Sequence, residues 1–195
     1  MKFGLNELKE QKKNLKADKP VKIHLALALD SKTKNVVGTL NYRLSLLKET
    51  QIKYYSSVTK PHITLISGVV KNAMVFNEVK DMLSTLFKSF KIGELNLTPT
   101  KYYLSKDGTW LLMGLKPNEF LSNLTGVLKD FLRSYVEFGN EHDLHITVTR
   151  FKEDCTGKIN LNKLTLPESV HVKNAIYGLS GKNGVLLNTA KSYKI

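Results

Sequence analysis

Two short segments of this 195-residue chain carry the residue types that acid–base chemistry needs. Pro61-His62-Ile63-Thr64-Leu65 and Leu144-His145-Ile146-Thr147-Val148 each set a histidine two residues before a threonine inside an apolar run. Runs of this length suit buried strands, and on a strand the side chains at i and i+2 project from one face. His62 therefore shares a face with Thr64, and His145 with Thr147, while Ile63 and Ile146 turn to the opposite core. Histidine is the side chain whose ordinary pKa lies nearest neutrality, so one imidazole of a pair can take a proton while the other gives one. Each such transfer contributes about 10²–10⁴-fold, or roughly 3–5 kcal/mol. Threonine hydroxyls can hydrogen-bond nonbridging phosphate oxygens as charge builds on them. A lone His-x-Thr triplet occurs often by chance. Its recurrence with the same His-Ile-Thr core, in two apolar strands, is what points to chemistry.

Two histidines without a carboxylate cluster make a metal-free arrangement, and no cofactor is called for. It suits attack by a ribose hydroxyl on the adjacent phosphate, or attack by water on a cyclic phosphodiester. The sequence leaves open which histidine is acid and which is base.

The elements around the triplets repeat. Residues 5–19 read as a short basic helix ended by Pro20, an appendage with little apolar face. His24–Leu29 is a compact apolar strand, residues 35–49 an amphipathic helix, and 61–66 the strand of the first triplet. A helix over 74–90 follows, then strands around 92–104 and 109–115 joined by the Lys106-Asp107-Gly108 turn. Pro117 opens a helix whose stripe is Phe120, Leu124, Val127, Leu128, Phe131 and Leu132. The strand over 142–151 carries the second triplet, and residues 170–179 and 184–189 close the chain as a hairpin around 181–184. Strand–helix–triplet strand thus occurs twice, giving two similar α+β lobes with a shared cleft and no linker between them. Residues 1–19 form a basic extension, and 20–195 a single bilobal domain.

The formal net charge is +13, of which residues 1–19 contribute +3 and the other 176 residues +10. Basicity spread over the body attracts polyanions, nucleic acid and nucleotides first among them. The one cysteine, Cys155, excludes an internal disulfide and a cysteine-rich zinc site. With no membrane-length apolar run and a polar start, the expectation is a cytoplasmic monomer with no membrane association.

The two triplets, the opening strand Ile23–Leu29 and the segment Trp110-Leu111-Leu112-Met113-Gly114-Leu115 together resemble the 2H phosphoesterase superfamily. The resemblance covers residues 20–190. It implies an α+β, bilobal, pseudo-symmetric fold, with two β-sheets lining a central cleft and helices packed outside. It also implies catalytic roles for His62 and His145 and phosphate-binding roles for Thr64 and Thr147. The family includes RNA 2′,3′-cyclic phosphodiesterases, 2′-5′ phosphodiesterases and RNA-end-trimming enzymes. It also holds viral proteins that destroy 2′-5′ oligoadenylate or cyclic oligonucleotide immune signals, and the Lys- and Asn-rich composition leans toward such a viral or phage antagonist.

Lys60 and Arg150 flank the triplets as candidate phosphate neighbours. Tyr54, Tyr55, Tyr102 and Tyr103 are candidate base-stacking residues. His24 and His171 read as structural, Trp110 as core, and His142 as unable to chelate a metal together with His145. Asp143 sits where it could orient an imidazole. The competing readings are a non-catalytic RNA-binding module on the same fold, and an interaction protein that docks a partner through its N-terminal helix.

Overall fold

The computed structural model describes residues 4–52, 54, 60–89, 93–139, 143–181 and 184–195. The chain opens with α1 (Leu5–Lys16), which ends short of Pro20 because the backbone turns at Asp18, where φ is 53°. No residue of α1 is buried, yet Leu8 and Leu15 pack on the core, and the Gln11 side chain accepts the Lys22 amide at 3.0 Å. The extension is thus laid against the domain.

Strand β1 (Val21–Leu29) runs into α2 (Ser31–Leu47) through Asp30, whose carboxylate accepts the Thr33 amide at 2.9 Å. That cap explains why the helix begins four residues before the apolar periodicity does. β2 (His62–Val70) carries the first triplet and α3 (Ala73–Ser89) follows it. The single strand expected around 92–104 is two: β3 (Leu95–Leu97) and β4 (Pro99–Leu104). They separate because β3 pairs with β8 (Val170–Ser180), in the first half, whereas β4 pairs with β5 (Trp110–Leu115), in the second. The chain crosses between halves at Thr98. Gly108 in the β4–β5 turn has φ of 66°, the left-handed backbone that favours glycine. Then come α4 (Glu119–Leu132), capped by Asn118, the two-residue β6 (Glu137–Phe138), β7 (His145–Arg150) with the second triplet, and β9 (Leu186–Lys194) hairpinned onto β8.

All the strands join one antiparallel sheet in the order β3-β8-β1-β2-β7-β5-β4, with β6 also on β2 and β9 also on β8. The two sheets anticipated from the sequence are the two halves of this one. β2 meets the second half twice, at β7 through Ile63↔Ile146 and at β6 through Gly68↔Phe138 and Val69↔Glu137.

Ile23, Leu25, Leu27, Ile63, Leu111, Met113 and Ile146 project from one face into a continuous core with the buried sides of α2, α3 and α4. On α4 that side is Leu121, Leu124, Leu128 and Leu132, whereas Phe120, Val127 and Phe131 of the expected stripe are exposed. The helices cross between halves: α2, which follows β1, packs on β7, and α4, which follows β5, packs on β2. The opposite face carries the histidine and threonine of each triplet. No described helix is long and apolar enough to cross a membrane.

Candidate active site

Ile63 and Ile146 are direct antiparallel partners, both with no exposed surface. Antiparallel neighbours share a face, so the register sets His62 beside Thr147 and Thr64 beside His145 on the side away from the core. The two histidines are diagonal neighbours, which strand geometry separates by about 7–8 Å. Each threonine therefore stands next to the other triplet's histidine as well as its own.

The imidazoles are held alike. His62 Nδ1 lies 2.9 Å from the Lys60 carbonyl oxygen, and His145 Nδ1 lies 2.6 Å from that of Asp143, each carbonyl two residues before its histidine. A carbonyl only accepts, so both Nδ1 atoms are the protonated nitrogens, and Nε2 is left to take or give the working proton. Their surroundings differ. His62 is 6 % exposed whereas His145 is half-buried. Burial pushes the His62 pKa below its ordinary 6.5; the Lys60 bond opposes this and the neighbouring His145 adds to it.

A second repeat lies beyond the triplets. Partners step from Leu25↔Ile66 to Ala26↔Thr64, which makes Leu65 an extra residue in β2. They step likewise from Leu111↔Thr149 to Leu112↔Thr147, which makes Val148 extra in β7. Each bulge falls three residues after its histidine. Simple alternation would send Ser67 and Arg150, five residues on, to the core face; the bulges return them to the face of the histidines. Arg150 is held there over the Trp110 ring, 4.8 Å from its centroid. Trp110, expected in the core, is half-buried and packs against a small separate cluster of Ile52, Val185 and Leu187.

Between its contacts with β7 and β6, β2 stands apart from the second half. Thr64, Leu65, Ile66 and Ser67 there line a cavity of about 880 Å³ that reaches His145, Tyr103 and α4. Gly114 pairs with His145, and a side chain there would meet Thr100 Oγ1 at 2.8 Å and Tyr103 Cε1 at 3.2 Å. The absent side chain lets the Tyr103 ring lie close beside His145. Along α4 the cavity wall is polar, with Asn118, Ser122, Thr125 and Lys129.

Of the other residues anticipated, Lys60 is exposed and supplies its carbonyl to His62. Its charge also faces Lys34, whose pKa is lowered first by burial and then by Lys60. Tyr54 donates its hydroxyl to the Thr147 carbonyl at 2.8 Å, so that group braces the second triplet. Tyr55 and His142 lie outside the described residues. Tyr102 is buried, donating to the Thr165 carbonyl at 3.2 Å. His171 lies away from the triplets, against Ser169 and Glu94. Among the described residues, no three His, Cys, Asp or Glu are grouped to hold a metal ion.

Sequence reasoning missed Asn41. Fully buried on α2, it donates to the carbonyls of Ile52 and Val148 at 2.9 and 3.0 Å, and its oxygen accepts the Tyr54 amide at 3.1 Å. Asn41 and Tyr54 together fix two successive carbonyls of β7 at the second triplet. A polar residue amid the stripe of Val37, Leu40 and Leu44 was the available signal, since a buried amide must be satisfied.

Among solved structures, E. coli LigT complexed with phosphate matches at a TM-score of 0.62 and 16 % identity, covering 91 % of this chain and 98 % of that one. E. coli LigT complexed with 3′-AMP matches at 0.65 and 15 %, covering 91 % and 99 %. Kluyveromyces marxianus Usb1 matches at 0.53 and 10 %, again covering 91 % and 99 %. No family model matches the sequence, and neither does any curated protein.

Proposed function

We propose that this chain, which has the fold of the 2H phosphoesterases, is a metal-independent phosphodiesterase acting on RNA or a nucleotide signal. The observation that carries this reading is the Ile63↔Ile146 register, which gathers two imidazoles and two threonine hydroxyls on one open face. A phosphoryl group fits between diagonal histidines about 7–8 Å apart.

His62 is the base, because burial favours its neutral form. Its Nε2 takes the proton of a ribose hydroxyl or of water as that oxygen attacks phosphorus. His145, more exposed, enters protonated and gives its Nε2 proton to the departing oxygen. Thr64 and Thr147 donate to the nonbridging oxygens, and Arg150 supplies positive charge on the same face.

The cavity beside His145 takes the nucleoside carried by the departing oxygen, with Tyr103 as its stacking wall. A volume of about 880 Å³ falls within the range of small-molecule sites. That E. coli LigT is found with 3′-AMP, ATP and NADP+ supports a nucleotide ligand here. The basic surface, +13 overall, draws such anions in.

The test is a panel of 2′-5′ and 3′-5′ oligoadenylates, 2′,3′-cyclic nucleotides and 3′-5′ cyclic oligonucleotides, with product ends identified by mass. A cyclic phosphate end marks attack by the ribose hydroxyl, and a linear monoester marks water. Cleavage abolished by EDTA would replace the two-histidine mechanism with metal chemistry.

A further inference from the structure

The pairing of β1 with β2 separates His24 from His62 by four residues of strand: His24 faces Ser67, whereas His62 faces Ala28. Their rings nevertheless meet, with centroids 5.4 Å apart and planes inclined at 55°. Ala26 lies between them on the same face and is too small to keep them apart. Both rings are buried, 3 % exposed for His24 and 6 % for His62. Ser180 braces the far side of His24, its hydroxyl 3.4 Å from Nε2, and the turn at Gly184 passes over the ring.

The bulge repeat shows what is unusual about this contact. His24 pairs with Ser67, five residues after His62, and Trp110 pairs with Arg150, five residues after His145. His24 and Trp110 therefore hold equivalent places in the two halves. Trp110 is occupied by Arg150, and beside His145 stand Gly114 and the cavity. His24 instead leans on the histidine of its own half. The same backbone bond holds both imidazoles, and the His62 ring is in addition backed by that of His24.

We propose that His24 is a positioning residue for His62. Its ring, braced by Ser180, backs the His62 imidazole so that Nδ1 stays on the Lys60 carbonyl and Nε2 faces the substrate. It also keeps water from that side of the ring. This rests on His62 being the proton acceptor. Among the described residues, the ionisable groups around His62 are His24 from β1, His145 from β7 and Lys60 from the segment before β2; Glu7 of α1 reaches the Gly181 turn beside His24.

The experiment is an NMR titration of the His62 Cε1 proton in the full-length protein, run beside turnover of the best substrate of the panel. The variants are His24→Ala, His24→Phe and Ser180→Ala. In His24→Ala, water reaches the ring, so the His62 midpoint rises, while kcat falls about 10–100-fold with KM little changed. His24→Phe restores the bulk of a ring and recovers most of both values, and Ser180→Ala gives a smaller change in the same direction. A His62 midpoint unchanged in His24→Ala, or in Ser180→Ala should His24→Ala not fold, overturns the proposal whatever happens to kcat. The titration reads His62 in the free protein, without substrate. Absence of turnover across the panel would therefore defeat the phosphodiesterase reading separately.

Discussion

Ile63 and Ile146 face each other across the seam between the two halves of the sheet, each with its flanking histidine and threonine turned to the open side. Their pairing converts two separate sequence triplets into one four-residue site. Trimming this contact changes both stability and catalysis. Each of Ile63→Val and Ile146→Val should cost about 0.5–1.5 kcal/mol in urea unfolding, and the double variant should deviate from additivity because the side chains touch. Simple addition of the two costs would mean that the seam is not a coupled contact.

The His62 pKa lies below 6.5 in the folded protein, mainly through burial. A depressed folded pKa contributes stability that is fully present above the unfolded value and lost as pH falls through and below 6.5. Thermal unfolding should show a loss of Tm on acidification that is smaller in His62→Asn. In kcat/KM, the acidic limb should have its midpoint under 6.5, since protonation of the base stops the reaction. An acidic limb centred above that value would reverse the assignment of roles.

Asn41 and Tyr54 hold β7 from beneath. Asn41→Leu leaves two carbonyls and one amide without their partner in a buried setting, and should cost about 2–4 kcal/mol. Tyr54→Phe removes one hydrogen bond, at about 0.5–1.5 kcal/mol. Both should lower kcat beyond what the loss of folded protein explains, because β7 loses a carbonyl anchor at the second triplet, at Val148 in Asn41→Leu and at Thr147 in Tyr54→Phe. Stability by urea unfolding and kcat at full folding separate the two effects.

Gly126 on α4 lines the cavity, and nothing lies within 4 Å of where its side chain would begin. Gly126→Leu replaces a poor helix former with a good one, worth up to about 0.8–1 kcal/mol of stability. The same side chain fills space meant for a nucleoside, so KM for an oligonucleotide should rise while Tm rises too. An unchanged KM would show that the cavity does not take the nucleoside.

The triplets, their shared face and the doubled strand–helix–strand plan were readable because strand alternation and helix periodicity are local. So was the Asp107-Gly108 turn. What the sequence did not carry was non-local. The Ile63↔Ile146 register depends on which strands become neighbours, and the break between β3 and β4 depends on each finding a partner in a different half. Arg150 was a candidate from proximity alone. Its face is decided by the bulge at Val148, a property of the β5–β7 pairing. Tyr54 was expected to stack on a base, whereas its hydroxyl anchors the second triplet. His24 read as structural; its meeting with His62 depends on the β1–β2 register and on the small Ala26 between them, neither of which is local.

The most direct test of the two-histidine account is turnover of the best panel substrate by His62→Ala and His145→Ala, with binding of 3′-AMP measured on the same preparations. The account predicts that each single variant loses turnover by at least about 10²-fold while 3′-AMP binding persists, and that the double variant is little worse than either. Turnover retained in either single variant would contradict it.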